Sequence, residues 1–459
     1  MKKLWLAILT GALTACGHDG SDDDSPQPEV LGVVATLPTP HAGPFGAKLT
    51  PDGSKLFVPL FGTYGSEGPG STLAVFDTAT NSLLAEIPVG ERPEDVDFTE
   101  DGLYAYVTNS NSATVTVLHV PSLSVVDTIP LGKAFDPNTY EGTYPYGIAV
   151  RNGQAYVFCS AYGDGNDEHV KVVDTNPASP TFHRKTGGIV LSGVYTRGAF
   201  RPGANELVVA RGQADNDWAA TPQIAIFSTD SGEVLSTIPI QQAPGGFHGM
   251  EDLCVTPNGK YAYAASYNSG SGEAEVYVVD LVSRKFQDLV VLDNGDITTH
   301  GVGMRPDGLL VGVTSWNLGR VSFLFTPTNT VVYEYETGKN PNEVAFSPDG
   351  TRAYVTNQNS HTVTVVALRS TSDLVHRLVL DAIEQGKASA AAAGDLRPRI
   401  DALKNPMVTG SQSSLDETVE RIRYWASRDE LSIGKPKKLD ASGAARNGFA
   451  VPREGVNAR

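Results

Sequence analysis

The sequence predicts an all-β protein, a seven-bladed β-propeller closed by an N-terminal strand and followed by a C-terminal helical extension. Three observations predict it. A unit of about 50 residues recurs seven times before Leu368, and self-similarity at such a period marks a repeat architecture. Each complete unit holds four short runs of strand-like alternation separated by Gly, Asp, Asn and Pro, the composition of tight turns. The last unit lacks its fourth run, while a strand-like run from Val30 to Leu37 precedes the first unit without a partner.

At the N-terminus, Met1-Lys2-Lys3 gives a basic start, Leu4 to Leu9 an apolar run, and Leu13-Thr14-Ala15-Cys16 a small-residue end. That is an export signal. It is shorter than the roughly 20 apolar residues a membrane span needs. Leu13-Thr14-Ala15-Cys16 resembles the lipobox of bacterial lipoproteins, which implies cleavage after residue 15 and lipidation of Cys16. Several acyl chains, at about 0.8 kcal/mol per buried methylene, would anchor the chain firmly. The resemblance also implies that Gly17, standing where Asp would mark inner-membrane retention, directs the protein to the outer membrane. Residues 16–28 contain HDGSDDDSPQP and read as an acidic, solvated tether.

The propeller is expected over residues 29–368. Each unit opens with an apolar run and a hairpin turn, as in Phe98-Thr99-Glu100-Asp101-Gly102 and Phe346-Ser347-Pro348-Asp349-Gly350, because Asp and Gly tolerate positive φ. A second strand follows, such as Tyr104 to Asn109, then a third, such as Val276 to Asp280, and a fourth, such as Val126 to Pro130. Four antiparallel strands make one propeller blade. Tyr106-Val107-Thr108-Asn109 and Tyr354-Val355-Thr356-Asn357, each ahead of a Thr-Val-Thr-Val strand, resemble the YVTN-type β-propeller repeats of bacterial and archaeal surface and periplasmic proteins. Units three to six keep the rhythm but replace the tetrapeptide, as in Tyr156-Val157-Phe158-Cys159. The resemblance implies fold more than function. Tyr106 and Tyr354 read as packing residues between blades, and Cys159 and Cys254, in different repeats, as small buried residues rather than a disulfide.

After residue 368 the pattern turns helical, over Leu374 to Ile383 and an alanine run, with a second helix over Leu415 to Ala426 capped by Ser414. This extension, residues 369–433, is expected to pack on the propeller rim, with docking onto a partner as the alternative. Residues 434–459 are polar and aperiodic and read as disordered.

The net charge of −17 argues against nucleic acid, whose phosphates require a basic patch. No Cys-x-x-Cys-His, Gly-x-x-x-x-Gly-Lys or Gly-x-Ser-x-Gly motif occurs, which removes haem attachment, P-loop nucleotide chemistry and the hydrolase elbow. The residues just before the seven first strands, Phe45, Glu94, Tyr146, Arg197, Glu251, His300 and Asn342, are expected to ring one channel mouth. The long loops 61–71, 161–169 and 211–222 open on the same face, where function concentrates. Glu94, Tyr146, Arg197, Glu251, His300 and Asn342 are therefore the candidate binding residues, with Arg197 expected to pair with Glu251. Glu251 and His300, with His248 nearby, are the candidate catalytic or metal-binding residues for a divalent cation. Asp164 to His169 resembles a calcium loop without its closing glutamate. The reading is an outer-membrane lipoprotein that binds an envelope protein, peptide or glycan without catalysis. The alternative is a metal-assisted lyase or lactonase at the channel mouth, a class the chain resembles in architecture only.

Overall fold

The computed structural model describes residues 31–63, 68–136, 138–139, 141–162, 168–190, 194–213, 223–240, 248–268, 274–292, 298–403 and 412–434. The leader, Cys16, the tether, the tail from residue 435, and the loop residues 64–67, 163–167 and 214–222 lie outside them.

The described residues form seven four-stranded antiparallel sheets, each blade running from channel to rim. The innermost strands are Lys48–Leu49, Pro93–Phe98, Gly142–Arg151, Val194–Phe200, His248–Val255, Thr299–Met304 and Pro341–Phe346. The rim strand of the last blade is Gly32–Pro38, paired antiparallel with Thr362–Ala367 so that Leu37 faces Val363 and Thr36 faces Thr364. The ring is thus closed by residues more than 320 positions apart in the chain, and closure leaves no open sheet edge between first and last blades.

Local chemistry explains the repetition. In the inner hairpin of blade two, Thr99 Oγ1 donates to Asp101 Oδ1 at 2.6 Å, and that oxygen accepts the Leu103 N–H at 3.0 Å. Thr50 with Asp52, Thr256 with Asn258 and Ser347 with Asp349 repeat the first contact. Each of the seven hairpins carries one glycine at φ between 67° and 76°, Gly53, Gly102, Gly153, Gly203, Gly259, Gly308 and Gly350, a region costly for residues with a Cβ.

The Tyr-Val-Thr-Asn segments are structural at each position. Tyr106 and Tyr354 are at most 1% exposed and pack between blades, as expected. Thr108 Oγ1 donates to the Tyr146 carbonyl at 2.7 Å and Thr356 Oγ1 to the Phe45 carbonyl at 2.6 Å. These threonines therefore fix residues on, or just before, the inner strand of the next blade. Asn357 Nδ2 donates to Thr364 Oγ1 at 2.9 Å while its Oδ1 accepts the Gly338 N–H at 2.9 Å. Gly338 is needed there because a Cβ would fall 2.7 Å from that of Asn357. Cys159 and Cys254 are buried in the interblade core and form no disulfide, also as expected.

Two sequence expectations for the extension need correction. It contains three helices rather than two: α1 (Thr371–Glu384), α2 (Ala390–Leu403) and α3 (Gln412–Ala426). The alanine run belongs to α2, which also contains Pro398. Ser414 is not a cap but lies inside α3, its carbonyl accepting Thr418 Oγ1 at 2.8 Å. The helices pack in cis. Leu374, Val375, Val379, Leu396, Ile400 and Ile422 form one buried cluster with Phe323, Phe325, Val366 and Leu368 of blades six and seven. Arg305, 1% exposed, donates to Asp307 and to the Arg369 carbonyl, and Asp307 accepts Thr371 Oγ1 at 2.6 Å. That clamp fixes the start of α1 on blade six. Between helices, Asp395 accepts Arg421 Nε and Trp425 Nε1, each at 2.7 Å. No described helix is long and apolar enough to cross a membrane.

Since Leu374 is fully buried in that shared cluster, Leu374→Ala should destabilise the whole domain by about 2–5 kcal/mol. Urea unfolding followed by far-UV circular dichroism and tryptophan fluorescence checks this. Coincident shifts of both transitions are expected, whereas an unshifted circular-dichroism midpoint would mean that the helices are energetically separate from the propeller.

Candidate functional site

All seven anchor residues, Phe45, Glu94, Tyr146, Arg197, Glu251, His300 and Asn342, line a single cavity of about 410 Å³ at one mouth of the channel. Thr196, Asp252, Thr298, Gly301, Trp316 and Glu343 complete it. A backbone irregularity explains why so many side chains converge. In six of the seven inner strands the ladder register shifts at or beside the anchor, as between Pro93 and Val96, Met250 and Asp252, and Pro341 and Val344. A bulge of this kind lets neighbouring residues leave strict alternation. Consecutive pairs therefore reach the channel: Thr196 and Arg197, Glu251 and Asp252, Asn342 and Glu343.

At the base, Arg197 Nη1 pairs with Asp95 Oδ2, and Nη2 lies 3.7 Å from Glu343 Oε2. The expected Arg197–Glu251 pair is thus replaced by partners on blades two and seven, because the guanidinium reaches across the channel rather than along its wall. Arg197, Asp252 and Glu343 also line a second cavity opening on the opposite face, together with Lys48 and Asp95. The charged cluster is a partition across the channel. Asp252 is held by the Leu253 and Val302 N–H groups, both at 2.8 Å, the latter from the next blade. Asp95 Oδ2 likewise accepts the Ile148 N–H at 3.0 Å.

Aromatic groups form the upper wall. His300 stacks on Trp316 with centroids 4.8 Å apart and meets the Phe45 ring edge-on at 5.6 Å. Tyr146 packs against Tyr144 at 4.7 Å. Burial and the nearby Arg197 guanidinium push the His300 pKa down to about 3, so the imidazole is neutral near pH 7 and a weak base. The carboxyls move the other way. Burial pushes Glu94 up to about 7, against the opposing pull of Ser110, whose hydroxyl donates at 2.8 Å, and of Arg197. Burial likewise raises Asp252 to about 6, lifts Glu251, and lifts Glu343 well above its ordinary range with Asp252 adding to the effect. For Arg197 burial works against the charge, and the surrounding Asp95, Glu343, Asp252 and Glu94 more than offset it.

Glu251 and His300 thus line the same cavity. His248 is the first residue of the blade-five inner strand, and its side chain lies outside the description. Among the described residues no group of three or more His, Cys, Asp or Glu side chains is arranged to hold a metal ion. The sequence reading missed Asp95, Asp252 and Glu343, each one residue after an anchor, and Trp316 on the turn after Ser315. The signal available was a carboxylate at the anchor-plus-one position in three of the seven copies.

The chain is a seven-bladed β-propeller with an acidic, aromatic-walled cavity at one channel mouth. No family model matches it. It is 26% identical over 306 residues to a seven-bladed beta-propeller protein of Mycobacterium tuberculosis, an alignment covering 65% of this chain and 65% of that relative. Among solved structures it is similar to a chain of Kuenenia stuttgartiensis hydrazine synthase, with a TM-score of 0.60 and 22% identity over 73% of this chain and 98% of the other. The Cps50 (Swd1) β-propeller domain of Myceliophteria thermophila aligns with a TM-score of 0.53 and 10% identity, over 73% of this chain and 100% of that one. These likenesses show the fold alone.

The carboxyl pKa values set a pH dependence. Glu94 is raised from 4.5 to about 7 in the folded state, so between those values the folded protein binds more protons than the unfolded chain. Its contribution is fully present below the unfolded value and is lost as pH rises through about 7, on the order of 3 kcal/mol in all. His300, lowered from 6.5 to about 3, acts with the opposite sign, so the Glu94 contribution is read as a difference: between about pH 5 and about pH 8 the wild type should lose melting temperature relative to Glu94→Gln, which stays neutral. Equal slopes for both proteins in differential scanning calorimetry would contradict the assignment.

Proposed function

We propose that the protein is an exported lipoprotein, anchored through acyl groups on Cys16 in the outer membrane, whose YVTN-type propeller binds an envelope partner at the channel mouth. The convergence of all seven anchors on one cavity carries this reading. Concave sites walled by aromatic rings with a few inward polar groups are the usual form of a binding pocket. The lipobox-like Leu13-Thr14-Ala15-Cys16 and the acidic stretch after it supply anchor and spacer. The partner is a protein, peptide or glycan presented to the loop-rich face, and the helices, packed on blades six and seven, brace the ring rather than the site.

The lyase or lactonase alternative draws on one observation, that Glu251 and His300 share the cavity. It requires a divalent cation, with Glu251 and His300 as ligands and His248 as a further donor. A stoichiometric metal in the purified full-length protein, lost in a Glu251→Ala, His300→Ala variant, would favour it over the binding reading.

In cells fed a clickable palmitate analogue, the wild type should label and fractionate with the outer membrane, and Cys16→Ala should lose both properties. A photo-crosslinking phenylalanine analogue at Tyr146 should trap a partner that the same analogue at Asp101, on the opposite hairpin face, does not. Retained label in Cys16→Ala would sink the anchor, and equal or absent crosslinks at the two positions would sink the loop-face reading.

A further inference from the structure

We propose that the channel-mouth cavity receives a primary organic ammonium group, carried by a small amine or by a lysine side chain of a partner. The inference rests on the binding reading above and names the chemistry recognised there.

Charge gives the first argument. Glu94, Glu251, Asp252 and Glu343 line the cavity against a single guanidinium, Arg197, and Arg197 is already engaged by Asp95 and Glu343. An anionic ligand would meet four carboxyls with no free counter-charge. A neutral sugar could stack on the rings but would leave those carboxyls as they are. A cation supplies the charge that burial has denied them.

Hydrogen bonding gives a second, independent argument. Asn342 lines the cavity and is 1% exposed. Its Nδ2 lies 3.5 Å from the Pro44 carbonyl, but its Oδ1 has no hydrogen-bond partner among the described residues. A buried acceptor without a donor is costly. An ammonium group carries three N–H donors and no acceptor, which suits an unpartnered amide oxygen on a residue that lines the cavity together with four carboxyls.

Shape and walls give the third. About 410 Å³ lies within the roughly 300–1,000 Å³ of small-molecule pockets and is far larger than a bare ion needs. The stem of an alkylamine would pass between Phe45, Tyr146, Trp316 and His300, where ring faces attract a cation and apolar edges cover methylenes. His300, neutral and stacked on Trp316, belongs to that wall rather than to a competing positive charge.

The test is isothermal titration of full-length protein in detergent with n-butylammonium, butyrate, calcium, and a capped Gly-Lys-Gly tripeptide. Butylammonium should bind and butyrate should not. Glu251→Gln should weaken the ammonium by roughly tenfold and Trp316→Leu by roughly three- to tenfold, with thermal melting of each variant confirming a folded ring. Should Trp316→Leu fail to fold, Glu251→Gln, which replaces one carboxyl by its isosteric amide, still decides. Tighter binding of the tripeptide than of butylammonium would assign the amine to a partner side chain, and the reverse to a small molecule; either supports the proposal. No ammonium binding at millimolar concentration, equal binding of butyrate, binding of calcium alone, or an unchanged affinity in Glu251→Gln overturns it. If the Tyr146 crosslinker still traps a partner in that case, the ligand class is wrong and the binding reading stands. If it traps none, both fail.

Discussion

Everything at the channel mouth depends on ring closure. Gly32–Pro38 hydrogen-bonds to Thr362–Ala367, and only with that strand in place does blade seven become a full sheet able to press its inner strand toward the channel. The cavity draws residues from all seven blades, so an open ring would separate Asn342 and Glu343 from Phe45 across the gap. The entropy of closing so long a loop grows slowly with its length, and the interblade clusters repay it many times over, with residues such as Leu56, Val58, Val363 and Val365 fully buried at the seam.

Closure sets the ring, and repeated polar staples set its accuracy. Thr108, Thr314 and Thr356 donate to the carbonyls of Tyr146, Asn342 and Phe45, each an anchor on the following blade. Asp95 and Asp252 accept N–H groups of the next inner strand. The same residues that align blades therefore aim the cavity wall. Asp95 and Asp252 serve both purposes, since each also interacts with Arg197. The result is a preorganised acidic site whose electrostatic strain is held by the scaffold rather than by flexible loops, at some expense in stability near neutral pH.

Much of this was legible in the sequence because propeller repeats report themselves twice, through period-two alternation in each strand and through the turn residues between strands. The hairpin glycines, the buried tyrosines of Tyr-Val-Thr-Asn, the buried cysteines outside any disulfide and the partnerless strand near the N-terminus all behave as their residue types demand. The helical extension was read less well. Gly394 and Pro398 interrupt the pattern of α2, and only packing of Leu396, Ile400 and Leu403 against neighbouring elements makes that segment a helix. Local propensity is a weak prior where tertiary burial is strong.

The sequence by itself determined the number of blades, the anchor position in each and the excess of acidic residues, because those depend on local periodicity and composition. It could not determine which charges meet. The register shifts beside the anchors bring Asp95, Asp252 and Glu343 to the channel, and the channel is narrow enough for Arg197 to reach Asp95 and Glu343 on other blades instead of Glu251. Contacts across the channel join residues roughly 100 to 150 positions apart in the chain, and only the closed tertiary structure brings them within reach of one another, since electrostatic pairing follows separation in space and not along the sequence.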